Sequence, residues 1–581
     1  MKKAYLLFLS LLFLLAACGQ PADSHPLETA VSTISAIPLP PATATATKQP
    51  VPTATETAVP ATETPIPPTI TPQPDLALHP ENIYIYPVPH LYAGEKATFQ
   101  VIADVPPTVI PENVSVHILV DGQEVASGFL TDRTRGGDPQ GLFKWVWDTT
   151  DHIGQHQIEI TLDKENTITV GDEVAGNNTA VLTIPVLDPA TETQAEANAV
   201  WVTAENNCCQ VHVVTGTAAY RDLPELLVTI DTAVQEAIHK LGEEPEAPLH
   251  IYLIDRVLGQ GGYAGSIIVV SYSDRQYAAS DLFQIMVHEA VHVLDRQFAP
   301  QRISFLAEGI AVWASGGHYK PEDVDTRAAA ILRTGHYVPL AELVNNFYPI
   351  QHEIGYMEAA GFVNYLIKQR GWQQFKTFYA NTAADDGATL AEALDANLQL
   401  YYGRTLDQME EEWLAFLNDQ PYNHDEELDL ETTLRYYNTM RHYQAIYDPT
   451  AYFLTAWFPY PDEVLEMGNP ADLSRHPEEK INLALETMLY AANQAMRAKN
   501  FNRANVILDS VERVLNNNGD FIDPLASSYL ELVNTTTEMG YEPQQITLSG
   551  QRATVRATKP GSTTLTQFNL QLKGDAWVLT N

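Results

Sequence analysis

The stretch LFQIMVHEAVHVLDRQF, residues 282–298, places two histidines and a glutamate inside an apolar pattern. The apolar residues recur at the spacing of one helical face, which predicts an amphipathic α-helix. His288 and His292 are four residues apart, so both side chains project from the same face, one turn apart. The stretch therefore predicts a helix that presents two imidazoles side by side.

Two imidazoles in this relation can ligate one zinc ion. Glu289 directly follows the first histidine, so its carboxylate projects beside the ion rather than at it. There it can hold a water molecule that the ion acidifies and then take its proton. Because a chance H-E-x-x-H occurs in roughly three of a hundred chains of this composition, the motif needs support from its surroundings.

A catalytic zinc site uses three protein ligands and keeps one position open. The segment QRISFLAEGIAVWASGG supplies the candidate third ligand, Glu308, sixteen residues after His292. Apolar residues around it predict a second helix, and Pro300 lies in the connection between the two helices. The alternative is a surface carboxylate, which the apolar setting disfavours because an unpaired buried carboxylate is costly.

These residues resemble the gluzincin metallopeptidases, and most of all the bacterial MA-like group with its H-E-x-x-H…E-G-x-A pattern. The likeness covers residues 200–417 and includes CCQVHVVTGTAAYRDLPELL, GGYAGSIIVVSYS, EIGYMEAAGFVNYLIKQRGWQQF and YGRTLDQMEEEWLAFL. It implies an α+β zincin-like domain over residues 198–420 with one Zn²⁺ per chain. It also implies His288, His292 and Glu308 as the zinc ligands and Glu289 as the general base.

The same resemblance implies a tyrosine or histidine that stabilises the oxyanion of the tetrahedral intermediate. Tyr356 fits by its place in IGYMEAAGFVNYL, and the alternative is a buried aromatic residue on an apolar helix face. The histidines at 318, 336 and 352 are weaker candidates, being typical of loops or surfaces. The strand SIIVVSYS is expected to bind an extended peptide along its edge.

One position departs from the family pattern. Many gluzincins carry an acid four residues after the glutamate ligand, where it orients a histidine, and this chain has Val312 there. We therefore expect the supporting carboxylate elsewhere, with Asp295 as the candidate.

The N-terminus MKKAYLLFLSLLFLLAACG has two lysines and then an apolar run, the pattern of a signal peptide over residues 1–18. The segment LAAC resembles the lipobox of bacterial lipoproteins, which implies lipidation of Cys18 and a membrane-anchored protein outside the cytoplasm. A plain signal peptide with a chance cysteine is the alternative. Cys208 and Cys209 are the other cysteines, and in an oxidising compartment they can form a vicinal disulfide.

The rest of the chain predicts a multidomain protein. A Pro/Thr-rich linker over residues 19–80 is followed by alternating strands over 81–188, which predict an all-β sandwich. The segment GDEVAGNNTAVLTIPV resembles CARDB-type immunoglobulin-like domains, and the sandwich is either a spacer or a binding module. Residues 428–581 predict a mainly helical α+β domain that ends in two or three antiparallel strands, with a faint likeness to NTF2-like domains.

A formal net charge of −40, from 73 acidic and 33 basic residues, disfavours nucleic acid as a partner. The sequence as a whole predicts a cell-surface zinc metallopeptidase that acts on a protein or peptide. The alternative is a non-catalytic surface receptor or adhesin whose zinc site is structural or decayed. In that case the partner is a cell-wall or surface polymer.

Overall fold

In the computed structural model, the described residues are 75–135, 138–259, 261–278, 281–453, 455–456 and 469–580. The signal peptide, the lipidation candidate Cys18 and nearly all of the predicted linker lie outside them. No helix within these ranges combines the length and the apolar character needed to cross a lipid bilayer.

Two antiparallel four-stranded sheets form the N-terminal part, in the orders β1-β2-β6-β5 and β4-β3-β7-β8. Phe99 and Val101 from one sheet and Ile118, Ile158 and Ile160 from the other have no exposed surface and belong to one core. The alternating apolar residues thus face this core, and the prediction of N-terminal β-sheets is confirmed. The strands are β1 Ile83–Tyr86, β2 Lys96–Asp104, β3 Ser115–Val120, β4 Gln123–Phe129, β5 Thr131–Arg135, β6 Asp138–Asp148, β7 Gly154–Leu162 and β8 Thr179–Val186.

A five-stranded mixed sheet opens the central part, in the order β12-β13-β11-β10-β9. Strands β10, β11 and β13 run parallel, and the two edge strands β9 and β12 run antiparallel to their neighbours. Cys208 and Cys209 form a disulfide at the start of β10. The strands are β9 Trp201–Glu205, β10 Cys209–Val214, β11 Leu249–Ile254, β12 Gly262–Ala264 and β13 Ile268–Ser271.

Helices make up most of the central part, and they share one apolar core with this sheet. Helix α3 ends at Gly242, whose left-handed conformation (φ 66°) stops the helix. The helices are α1 Gln194–Ala197, α2 Ala218–Arg221, α3 Leu223–Leu241, α4 Leu282–Phe298, α5 Ser304–Ser315, α6 Val324–Thr334, α7 Leu340–Asn345, α8 His352–Arg370, α9 Trp372–Ala380, α10 Leu390–Tyr402 and α11 Leu406–Asn418.

The C-terminal part is helical and then β, as predicted, although its sheet has four antiparallel strands rather than two or three. A second apolar core joins these helices and strands. The helices are α12 His424–Tyr447, α13 Lys480–Arg497, α14 Phe501–Asn516 and α15 Pro524–Glu538, and the strands are β14 Glu542–Ser549, β15 Arg552–Thr558, β16 Thr566–Lys573 and β17 Ala576–Leu579.

Candidate metal centre and active site

Helix α4 lies in the central core and carries the H-E-x-x-H motif. Its apolar side chains Met286, Val287 and Leu294 are fully buried, and burying each contributes about 1.5–3 kcal/mol. The polar residues of the motif are also nearly buried, with 7% of His288 and 8% of His292 exposed. The apolar face thus fixes the helix in place, and the two imidazoles project together as the four-residue spacing predicts.

Glu308 comes from the next helix, α5, after a reversal through residues 299–303. Its Oε2 lies 3.2 Å from His288 Nε2 and 3.1 Å from His292 Nε2, and the two Nε2 atoms are 3.1 Å apart. These are the three residues that the sequence proposes as metal ligands, and the structure brings them together. Glu308 keeps 8% of its surface exposed, so it is not the surface carboxylate of the alternative reading.

The geometry of these donors fits a tetrahedral metal site. Ligand atoms bound to zinc at 2.0–2.1 Å in tetrahedral geometry are about 3.3 Å from one another. The observed separations of 3.1–3.2 Å are close to that value. Two imidazole nitrogens and one carboxylate oxygen are also the donor types that zinc prefers. The three residues therefore form a candidate site for a zinc ion.

When no cation is bound, the candidate ligands His288, His292 and Glu308 interact electrostatically, and these interactions shift the pKa values of His292 and Glu308. Burial disfavours the charged form of His292, but Glu308 offsets this and raises the pKa of His292 to about 8. Burial likewise disfavours the charged form of Glu308, yet the two histidines hold its pKa well below the usual range. Burial raises the pKa of Glu289, the carboxyl beside the triad. A buried glutamate with a raised pKa is the stronger base at neutral pH.

Asp295 does not take the supporting role expected of it. Its Oδ2 accepts a hydrogen bond from the Tyr379 hydroxyl at 2.6 Å and lies 3.2 Å from Arg302 Nε. Within the described ranges, neither histidine Nδ1 has a hydrogen-bond partner, and Val312 is fully buried among apolar residues. The prediction that Asp295 orients a histidine is therefore wrong, because its Oδ2 contacts a tyrosine and an arginine and neither of its oxygens hydrogen-bonds to a histidine Nδ1 in the described residues.

A residue that the sequence analysis did not single out supports the glutamate ligand instead. The Tyr348 hydroxyl donates a hydrogen bond to Glu308 Oε1 at 3.2 Å, which leaves Oε2 directed at the histidines. Partial burial and the negative charge of Glu308 raise the pKa of Tyr348 to about 12, so it remains a donor at neutral pH. Tyr348 precedes α8 in an irregular segment, and no periodic pattern in the sequence identifies it.

Tyr356 on α8 faces the same cleft as the triad. Its ring is nearly parallel to that of His288, with centroids 6.3 Å apart, and its hydroxyl makes no hydrogen bond to a residue that the structure describes. Burial raises its pKa well above the usual value, so the hydroxyl keeps its proton. Tyr356 therefore contributes a protonated hydroxyl to the wall of the cleft.

The three weaker histidine candidates lie in different surroundings. His318 is buried, and its ring stacks on Tyr356 at 4.3 Å and on Tyr319 at 3.8 Å, so it is not a surface residue. His352 lies 5.2 Å from the Tyr356 ring. His336 instead pairs with Glu431 at 3.1 Å near the surface.

An aromatic column continues from this cleft wall into the C-terminal part. Tyr319 packs against Tyr437 of α12 with centroids 4.4 Å apart. On the same helix, Arg441 forms a hydrogen-bonded ion pair with the buried Glu353 at the start of α8. Helix α12 therefore supports both the stack and the helix that carries Tyr356.

The edge strand of the central sheet borders the cleft, but it is not the strand that the sequence suggests. The segment SIIVVSYS forms β13, which is paired on both sides, whereas the free edge belongs to the short strand β12. Hydrogen bonds at Gly261 and Gly265 face β13, so the backbone N–H and C=O of Gly262 point to the open edge. A Cβ at Gly262 would lie 2.8 Å from the Val269 carbonyl oxygen, so this position requires glycine.

Comparisons with known proteins give partial likenesses of fold. No family model matches the chain, and no curated protein matches it. The solved CARDB domain of a Pyrococcus furiosus protein, in complex with di-metal ions, is 19% identical and covers 21% of this chain and 100% of that one, with a TM-score of 0.17.

Two further solved structures are similar over a longer stretch. An M1 zinc metallopeptidase from Deinococcus radiodurans is 12% identical and covers 57% of this chain and 93% of that one, with a TM-score of 0.29. An aminopeptidase N family protein from Idiomarina loihiensis is 10% identical and covers 58% and 75%, with a TM-score of 0.25. The geometry of the site, rather than these likenesses, carries the function proposed next.

Proposed function

We propose that this protein is a zinc-dependent metallopeptidase that hydrolyses peptide bonds at the bacterial cell surface. The observation that carries the proposal is the meeting of His288 Nε2, His292 Nε2 and Glu308 Oε2 within 3.1–3.2 Å of one another. They line a cleft of about 400 Å³ together with Glu289. Three protein donors at an open cleft are typical of a catalytic zinc site, whereas structural sites are closed by a fourth protein ligand.

A zinc ion held by these three residues would supply the Lewis acid that acidifies water and polarises the peptide carbonyl. Glu289 takes the proton from the attacking water at its carboxylate and delivers it to the leaving amide nitrogen. Its burial suits this role, because burial raises the pKa of the carboxyl and so makes it a stronger proton acceptor.

The remaining residues position the substrate and the ligands. The free hydroxyl of Tyr356 donates a hydrogen bond to the carbonyl oxygen as negative charge develops on it. Tyr348 holds Glu308 in its ligating orientation through the 3.2 Å hydrogen bond. An extended peptide pairs with the open backbone groups of Gly262 at the edge of β12.

The location of the enzyme is proposed from the N-terminal sequence. Lipidation of Cys18, which the lipobox-like segment LAAC implies, anchors the chain to the membrane. The N-terminal sheets, similar in sequence pattern to CARDB domains, then serve as a spacer between anchor and catalytic region.

The proposal is tested with the purified chain and one substitution. We expect one zinc per chain by elemental analysis, and cleavage of an unfolded protein that a chelator stops and added zinc restores. Glu289→Gln should keep the zinc but lose about 10²–10⁴-fold in turnover, because only the proton acceptor is removed.

Glu411→Gln, an exposed glutamate on α11, is the matched control and should be as active as the parent. A Glu289→Gln protein with parental activity would eliminate the mechanism. Zinc-independent binding to cell-wall material without any cleavage would instead favour the receptor or adhesin alternative.

A further inference from the structure

The cleft divides into two arms of different chemistry, which meet at the catalytic groups. Both arms share Gly262, His288, Glu289, Tyr348 and Tyr356. We call the arm of about 400 Å³ beside the end of β12 the arginine arm, since Arg296 and Arg302 line it. We call the arm of about 440 Å³ beside the start of β12 the aromatic arm, since Tyr319, His318 and Phe453 line it.

The arginine arm carries two guanidinium groups in addition to the carboxylates Glu289 and Glu308 of the candidate catalytic centre. Arg302 lies 3.2 Å from Asp295, so one carboxylate pairs with one of the two guanidinium groups. Arg296 donates to the carbonyl oxygens of Gly265 at 2.9 Å and Ala264 at 3.0 Å, and it forms no ion pair within the described ranges. Outside the candidate catalytic centre, to which Glu289 and Glu308 belong, two guanidinium groups and one paired carboxylate leave one positive charge beside this arm, on a chain whose formal net charge is −40.

Arg296 places this positive charge at the end of β12, the strand along which a peptide would lie. Arg296 extends from the same helix as the H-E-x-x-H motif and fastens the end of β12 to that helix. A peptide lying along β12 therefore passes the catalytic groups at Gly262 and meets the guanidinium at Ala264. Partial burial and the nearby charge of Arg302 lower the pKa of Arg296, so a carboxylate placed between the two would relieve an existing repulsion.

The aromatic arm has no charge of its own apart from the catalytic Glu289. Leu258 and Ile285 form its apolar base, with 1% and 7% of their surfaces exposed. Burial lowers the pKa values of His318 and His352, so both rings are neutral at pH 7. An aromatic or large apolar side chain gains both burial and ring contacts there, whereas a charged one would be desolvated without a partner.

We propose that the substrate is a peptide that places a carboxylate in the arginine arm and an aromatic or large apolar side chain in the aromatic arm, on opposite sides of the cleaved bond. This inference rests on the proposed function and specifies its substrate class. The carboxylate is either an Asp or Glu side chain or the C-terminus of the peptide.

The first experiment digests a complex peptide mixture with the zinc-loaded full chain and reads the cleavage sites by mass spectrometry. We expect enrichment of Asp or Glu within two residues on one side of the cleaved bond and of aromatic or large apolar residues on the other. If cleavage instead concentrates near peptide C-termini and amidation abolishes it, the carboxylate is the terminal one. Cleavage sites without a charge preference, or with a basic preference, would overturn the inference while the peptidase function stands.

The second experiment reverses one charge and compares matched peptides that differ only by Glu, Gln or Lys at the enriched position. Arg296→Glu should lower the Glu/Gln ratio of kcat/KM about tenfold and favour the Lys peptide, because a charge-assisted hydrogen bond is lost. Arg296→Lys keeps the charge and should keep the preference. Because each ratio is taken within one variant, a general loss of activity cancels, and an unchanged ratio in Arg296→Glu would refute the assignment.

Binding provides a readout that does not depend on turnover. In the Glu289→Gln chain, the Kd of the Glu peptide should be about tenfold below that of the Lys peptide. If no peptide is cleaved but this preference in Kd is present, the proposed function fails and the substrate class stands. If the Kd values are equal, the substrate class is refuted whatever the outcome of the cleavage assays.

Discussion

Helices α5 and α8 are in close contact at Gly309, the residue next to the candidate ligand Glu308, and we predict that Gly309→Ala weakens the metal site. An added Cβ would lie 2.8 Å from the Ala359 carbonyl oxygen and 2.8 Å from Val363 Cγ2. Ordinary contact begins at 3.4 Å, so the two helices must separate by about 0.6 Å, because a helix carbonyl cannot rotate away.

Gly309→Ala has two opposing effects on the free energy of unfolding and one effect on the geometry of the metal site. Alanine gains about 1 kcal/mol over glycine in a helix interior, while overpacking costs about 1–3 kcal/mol. The net loss of unfolding free energy is therefore no more than about 2 kcal/mol, and the chain still folds. Zinc ligands tolerate only about 0.2 Å of displacement, so a shift of Glu308 by the helix movement should weaken zinc binding about 10- to 100-fold.

Zinc affinity by competition with a chromophoric chelator measures this effect, and urea denaturation measures the stability. The matched control is Gly355→Ala on α8, where the nearest atom to an added Cβ is the flexible end of Leu343 at 3.2 Å. This variant should bind zinc as the parent does. Equal zinc affinity in Gly309→Ala and the parent would show that the close helix contact does not position Glu308.

Three further predictions concern the same site. Tyr348→Phe removes the hydrogen bond to Glu308 and should weaken zinc binding about tenfold by chelator competition, whereas an unchanged affinity would show that the ligand needs no such support. Tyr356→Phe should lower kcat about 10²–10³-fold with zinc content unchanged, and a loss of zinc instead would assign it a structural role. In the zinc-free chain, the pKa of His292 is raised from 6.5 to about 8, so its contribution to stability is complete below pH 6.5 and lost as pH rises through 8. Urea midpoints should therefore fall over that interval by the equivalent of up to about 2 kcal/mol, and a flat profile would contradict the coupling to Glu308.

The grouping of the three candidate metal ligands was predictable from the sequence because their geometry is local or nearly so. A four-residue spacing on a helix brings His288 and His292 together whatever the rest of the fold does. To predict that Glu308 lies near the histidines, it was enough to recognise a chain reversal and a second helix with an apolar face. The strands of the N-terminal sheets were also predictable, because strands with one buried face show alternating apolar and polar residues in the sequence.

Residues whose positions depend on distant packing were not predictable in the same way. Tyr348 lies in an irregular segment, and its contact with Glu308 depends on how α7 and α8 pack. His318 follows α5 in a loop, and only the tertiary fold buries it between Tyr319 and Tyr356. The free sheet edge was assigned to the longer apolar segment, but a strand of three residues, Gly262–Ala264, covers that segment and takes the edge position.

The aromatic column from Tyr356 through His318 and Tyr319 to Tyr437 limits how this protein can be truncated or recombined. A fragment that stops at residue 420 would keep all three metal ligands and still lose the ring that backs Tyr319. Recombination that exchanges the C-terminal half must therefore bring a compatible aromatic partner with it. The smallest unit that carries the intact candidate site is therefore longer than the stretch that holds its three candidate metal ligands.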